Sequence, residues 1–167
     1  MTQSSRKQLT LFVAKNDAYQ IEFIREKFNP EQHKLVNCHV TLCREDEITN
    51  LENVLENLRI LDLPPITIQF AKAIRFDNGK GVLLPGANNN NEFHQLRQKI
   101  LGDVNNPIRI HLPHITLMHP GNSSCTDGIF ETITKASLAT YLKFQTVSLI
   151  EQIDGGQWQT IRAFNLK

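Results

Sequence analysis

Few residue types are in excess in this 167-residue chain, and what is scarce excludes several classes. There are only three cysteines, Cys38, Cys43 and Cys125, an odd count with no CxxC pair. That excludes a disulfide scaffold and a cysteine-rich zinc module, and it fits a reducing compartment. No apolar run approaches the roughly 20 residues that cross a bilayer, so no membrane association is expected. Residues 1–7 are polar and lack an apolar stretch of the kind that directs secretion, so a cytoplasmic protein is expected. Charge of one sign is also missing: 18 basic and 17 acidic side chains leave a net charge of +1. A protein that grips a long duplex carries a marked basic excess. The balance here fits a small ligand or the end of a nucleic acid, with room for a local basic patch. With 40% apolar and 21% charged residues, the chain can bury one ordinary core.

Against this plain background one feature repeats. His39-Val40-Thr41-Leu42 returns 75 residues later as His114-Ile115-Thr116-Leu117. Each copy lies in a short apolar stretch that reads as a strand. Side chains two residues apart share one face of a strand, so each His lies beside its Thr.

The surroundings repeat as well. Residues 9–14 read as a strand, and Asn16 or Asp17 can cap a helix carrying Ile21, Ile24 and Phe28 at helical spacing, which Asn29-Pro30 ends. Residues 35–43 form the first motif strand. A helix over 47–60, with Ile48, Leu51, Val54, Leu55 and Leu58 on one face, precedes a long strand over 66–76. Asp77-Asn78-Gly79 turns the chain into a short strand at 82–84. The order then recurs: a helix marked by Phe93, Leu96 and Ile100, a motif strand over 109–118, a helix capped by Thr126 or Asp127, and a long strand over 141–153. A turn at Asp154-Gly155-Gly156 leads to a last strand over 157–166. The helices after the motifs begin about 79 residues apart and the long strands about 77 apart, which argues for a duplicated unit. The expected fold is α+β: one domain over residues 1–167, with pseudo-symmetric lobes built from repeats at about 9–76 and 81–166. Mainly antiparallel sheets line a central cleft, the two motif strands face each other across it, and helices pack outside.

Two imidazoles and two hydroxyls around one point suit acid–base chemistry on a phosphate. Imidazole titrates near neutral pH, so one ring can take a proton from an attacking group while the other gives one to a leaving oxygen. Each Thr can donate to a non-bridging phosphate oxygen as charge develops there. No nucleophilic side chain, metal or organic cofactor is required.

Two His-x-Thr-apolar motifs about 75 residues apart, in a chain of this length with duplicated strand–helix units, resemble the 2H phosphoesterase superfamily. It includes bacterial "2′-5′ RNA ligase" proteins and RNA 2′,3′-cyclic phosphodiesterases. Pro113 before His114 matches the Pro-His-x-Thr form common in the family, whereas Cys38 stands where a Pro is common before the first motif. The resemblance implies that His39 and His114 are the acid–base pair and that Thr41 and Thr116 are phosphate-oxygen donors. His114 is expected as the base and His39 as the acid. It implies a metal-independent phosphodiesterase that opens 2′,3′-cyclic phosphates of RNA ends or nucleotides to 2′-phosphates. The alternatives are cleavage or ligation of a 2′-5′ linkage, hydrolysis of a cyclic oligonucleotide, and a non-catalytic RNA-end or nucleotide-binding module. No obligate protein partner is implied, and a monomer suffices.

Other residues are weighed against ordinary structural roles. Phe12, Tyr19 and Trp158 could stack on a base, and Arg44, Arg75 and Arg109 could meet phosphates. Phe12 and Arg75 are retained as candidate substrate-binding residues. His111, His114 and His119 fall within nine residues, but His119 has the opposite strand parity to His114 and His111 lies beyond Pro113, so no metal site is expected. His33 and His94 are expected to face solvent. Cys43 shares the parity of His39 and Thr41 and could line the same cleft, although packing suits it better.

Overall fold

Antiparallel pairing runs through the computed structural model, which describes residues 2–105 and 107–167. In chain order the elements are β1 (Ser5–Phe12), α1 (Lys15–Phe28), α2 (Pro30–Leu35) and β2 (His39–Cys43). A single 3-10 turn at Glu45–Glu47 leads to α3 (Leu51–Arg59), β3 (Ile66–Gln69), β4 (Ile74–Phe76) and β5 (Gly81–Pro85). Then come α4 (Asn91–Leu101), β6 (His114–Met118), α5 (Asp127–Lys135), β7 (Tyr141–Phe144), β8 (Thr146–Ile153) and β9 (Gln159–Asn165). The fold is α+β: a seven-stranded sheet in the order β4-β5-β6-β2-β1-β8-β9, with β3 and β7 pairing separately.

The repeats interlace. β4, at the end of the first repeat, pairs with β5 of the second, and β8 of the second pairs with β1 near the start of the first. Both long strands expected from the sequence are split in the same way. The first part of each joins the small sheet as β3 and β7, and the second part joins the large one as β4 and β8. Continuous alternation in the sequence does not reveal the split, because each part alternates against a different partner. α2 is a further element. Pro30 stops α1, but its fixed φ and missing N–H suit the first position of a new helix.

The two motif strands are hydrogen-bonded neighbours in the middle of the large sheet, with Val40 opposite Ile115, and do not face one another across a gap. Each has one apolar face and one polar face, with the same pattern of buried and half-buried residues along both. Laid side by side, they put Val40, Leu42, Ile115 and Leu117 into one core, all essentially without exposure. Burying each of these side chains is worth roughly 1.5–3 kcal/mol relative to leaving it in water. The helices cross over to cover this face: α1 contacts β6 of the second repeat, and α4 contacts β2 of the first. Ile21 and Ile24 of α1 and Phe93, Leu96 and Ile100 of α4 belong to the same buried cluster.

Each motif strand also carries a bulge at the same place. Leu9 and Thr10 of β1 oppose Cys43 and Thr41, and Val82 and Leu83 of β5 oppose Met118 and Thr116. The extra residue is Leu42 in one strand and Leu117 in the other. The bulge reverses the alternation beyond it, so Cys43 and Met118 turn into the core with no exposure. Cys43 therefore does not line the cleft, contrary to simple strand parity. Burial pushes its thiol up to about 12, against a smaller opposing effect of the Arg97 charge.

Candidate active site

The sheet face opposite the core presents the four motif residues. Extending the antiparallel register from Val40 and Ile115 by one residue each way sets His39 opposite Thr116 and Thr41 opposite His114. Two cross-strand rows result. One runs Leu83, Thr116, His39, Phe12, and the other runs Pro85, His114, Thr41, Thr10. The histidines are diagonal neighbours, a relation that separates residues by about 7–8 Å, with Cβ atoms somewhat closer, room for one phosphate between two imidazoles.

Both rings are held in the same way. His39 Nδ1 lies 2.7 Å from the carbonyl of Asn37, and His114 Nδ1 lies 3.2 Å from the carbonyl of Leu112. A carbonyl only accepts, so each Nδ1 carries the proton and each Nε2 is the basic atom. Burial pushes the His39 imidazole down to about 4, and the Arg25 and His114 charges add to the effect, while the Asn37 bond and Glu22 oppose it. Burial also lowers His114, helped by Arg44 and opposed by the Leu112 bond.

Behind the site stand two buried arginines, one from each repeat. Arg25 of α1 donates to the Val36 carbonyl at 2.8 Å, in the segment that leads into His39, and pairs with Glu22 at 2.8 Å. Arg97 of α4 donates to the Arg109 carbonyl at 2.9 Å, in the segment that leads into His114, and pairs with Glu47 at 2.6 Å. Arg97 also donates to the Leu42 carbonyl of β2, so it ties both motif strands to one helix. Burial alone would raise Glu47, but Arg97, the Arg44 amide and Arg109 outweigh it and hold the carboxyl below its ordinary value. Neither arginine figured in the sequence reading, although each interrupts the apolar stripe of its helix: Ile21, Arg25, Phe28 and Phe93, Arg97, Ile100.

Phe12 meets the site from β1, opposite His39 in register, with ring centroids 6.0 Å apart in an edge-on arrangement. Arg75 does not. It shares a sheet face with Val82 on the core side, and its guanidinium donates to the carbonyls of Gly79 (2.9 Å) and Cys125 (2.6 Å) and to Asp127 (2.5 Å). These bonds fasten the β4–β5 turn to the start of α5 and engage all three guanidinium nitrogens on the core side of the sheet, away from the motif residues. Arg109 is likewise bound to Asp46, at 2.9 and 3.0 Å. Tyr19 is exposed on α1. Trp158 lies under the Arg6 guanidinium, and its amide donates to the Leu35 carbonyl at 2.8 Å. An open cleft of about 500 Å³ beside Thr41 is lined by Gln8, Arg44, Arg6 and Trp158 among others. Among the described residues Arg44 makes no ion pair, and it is exposed to this cleft.

His111 is buried and sits beside His114, with ring centroids 6.0 Å apart. The chain reaches it through 107–113, an irregular segment in place of the expected start of the motif strand. His119 lies beyond β6, where its Nδ1 accepts from the Gly121 amide at 3.0 Å. Among the described residues no three His, Cys, Asp or Glu side chains form a group that could hold a metal ion. No helix of the described residues is long and apolar enough to cross a membrane.

No family model matches the sequence, and no curated protein matches it either. Solved structures do match. E. coli LigT in its apo form is 18% identical, with 100% of this chain and 99% of that chain covered and a TM-score of 0.68. A protein described as a phosphoesterase is 16% identical, with 98% and 99% covered and a TM-score of 0.65. TT0787 of Thermus thermophilus is 14% identical, with 96% and 97% covered and a TM-score of 0.58. Over its whole length, this chain has the fold of E. coli LigT.

Proposed function

We propose that the chain is a 2H phosphoesterase that opens 2′,3′-cyclic phosphates on RNA ends or nucleotides by two-histidine acid–base catalysis. The observation that carries this reading is the pair of His-x-Thr strands side by side, with both Nδ1 atoms fixed to backbone carbonyls and both Nε2 atoms free for proton transfer. The similar LigT structures include complexes with phosphate, 3′-AMP, ATP and NADP+, which supports a site of this fold for nucleotide phosphates.

In this mechanism water attacks the phosphorus as one Nε2 removes its proton. The bond from phosphorus to the 3′ oxygen breaks, and the other imidazole, entering as the cation, protonates that oxygen. The products are a 2′-phosphate and a free 3′-hydroxyl. Thr41 and Thr116 hydroxyls and the Arg44 guanidinium bind the non-bridging oxygens. Phe12 covers the His39 side of the substrate. In the resting protein His39 is pushed down to about 4 and is the harder ring to protonate, which favours it as the base and His114 as the acid. These are the reverse of the roles expected from sequence.

The test is turnover of a panel: 2′,3′-cyclic phosphate RNAs and nucleotides, 2′-5′ oligoadenylates and cyclic dinucleotides, each with and without EDTA. The expected result is conversion of the cyclic phosphates to 2′-phosphates at a rate unchanged by EDTA. Turnover of the 2′-5′ linkage alone would replace the proposed reaction, loss of activity in EDTA would overturn the metal-free mechanism, and nucleotide binding without turnover would leave a binding module.

A further inference from the structure

The two motif strands share a single bridged residue pair, Val40 with Ile115, yet their relative position sets the distance between all four reacting groups. Something beyond the ladder must fix that position. Two contacts tie the segment before β6 to β2, one through Arg97 of α4 and one direct. Arg97 joins the Leu42 and Arg109 carbonyls, and His111 Nε2 lies 2.9 Å from the carbonyl of Thr41. Since that carbonyl only accepts, His111 donates through Nε2.

The conformation of the segment is organised around His111. Ile110 and Leu112 on either side are 83% and 70% exposed, while His111 is 5% exposed. Two apolar neighbours turn outward while the imidazole turns inward, the reverse of what hydrophobicity alone would choose. Phe93 of α4 packs against it with ring centroids 6.1 Å apart. Its own ring stands edge-on to His114. The device has no copy in the other repeat: the residue 75 positions before His111 is Val36, equally buried but without a side-chain donor.

We infer that His111 is a positioning residue, whose Nε2–H bond to the Thr41 carbonyl sets the approach of Thr41 to His114. It touches no substrate. Thr41 lies directly opposite His114, so a bond at the Thr41 carbonyl holds the hydroxyl of one motif against the imidazole of the other. This role rests on the phosphoesterase reading for its kinetic consequence but not for its structural one.

Three variants separate donation from bulk. In H111Q the side-chain amide reaches about as far as Nε2 and still donates. In H111N the amide is too short, and in H111F the volume is kept without a donor. In each folded variant, cyclic-phosphate turnover is measured together with the imidazole titration of His114 by NMR, a readout that needs no activity. H111Q should stay within about 3-fold of the parent kcat. H111N and H111F should lose at least about 10-fold in kcat with little change in KM, in keeping with the sensitivity of catalysis to small misplacements. The His114 titration should move in H111N and H111F and be restored in H111Q. If H111F fails to fold, the contrast of H111Q with H111N decides. Equal effects in Gln and Asn variants, or a His114 titration that ignores all three, would overturn the role. If the parent protein turns over none of the cyclic phosphates, the functional reading fails, and the titrations alone judge His111.

Discussion

His39 and His114 occupy the same place in their strands, yet Phe12 stands beside the first and Pro85 beside the second. The likeness covers strand position, burial pattern, bulge and the Nδ1 bond to the carbonyl two residues back. The difference covers nearly everything else. His39 has Arg25 and Glu22 behind it, whereas His114 has His111 at its edge and the Arg44 charge acting on it. Acid–base catalysis needs both properties. Two identical rings must meet at one phosphate, and they must then differ in proton affinity so that one gives while the other takes. In the proposed mechanism, the like strands would supply the first and their unlike surroundings the second.

The largest effect should come from removing either member of the pair. H39A and H114A should each lower kcat on a cyclic phosphate by about 10²-fold or more, and the double variant should fall little further, since the two act as a unit. A double variant much slower than either single one would show that the rings work independently.

Next, the two buried arginines should differ. Arg97 faces Glu47, whose side chain is 6% exposed, whereas the Glu22 partner of Arg25 is 21% exposed and reaches water. R97M should cost about 3–5 kcal/mol in denaturant unfolding by removing the guanidinium closest to a buried carboxylate, which keeps only the Arg44 amide and the more distant Arg109 at 3.6 Å, and adding E47L should recover much of it. R25M should cost less, about 1–3 kcal/mol, the scale of lost hydrogen bonds to charged groups. Equal losses would mean that Glu22 is as isolated from solvent as Glu47.

Stability should also follow the histidines. His39 and His111 are held down to about 4 from an ordinary value of 6.5, so the unfolded chain binds more protons between those values. Their neutral forms support the fold above pH 6.5, and that support is lost as pH falls toward 4. The thermal midpoint should drop across this window, and H39Q and H111Q should each flatten the drop. An unchanged slope in both would place the acid sensitivity elsewhere.

The smallest effect on catalysis should come from Arg75. Its side chain serves the core side of the sheet, so R75M should leave kcat and KM unchanged while lowering the melting temperature. A change in KM would bring Arg75 back to the substrate.

Much of this is legible in the residues. Helices α1, α4 and α5 follow from apolar spacing, and α5 also from its cap Thr126, whose hydroxyl accepts from the Ile129 amide at 3.2 Å; α1 instead begins at Lys15 after Ala14, so Asn16 and Asp17 lie inside the helix and do not cap it. The His and Thr pairs follow from strand parity and repetition. Parity fails at Cys43, because a bulge is a property of two strands and not of one. Arg75 escapes a sequence reading because an arginine in a strand shows its charge but not its face.

By itself, then, the sequence determined that two like strands would each carry a His and a Thr on one polar face, because alternation and repetition are local patterns. Only the tertiary structure decided that the strands lie edge to edge and that the long strands split between two sheets. It alone buried Arg25 and Arg97 and turned His111 inward to the Thr41 carbonyl. The reason is the same throughout: these depend on which distant segment supplies a buried donor or acceptor with its partner, and no periodicity along the chain encodes that choice.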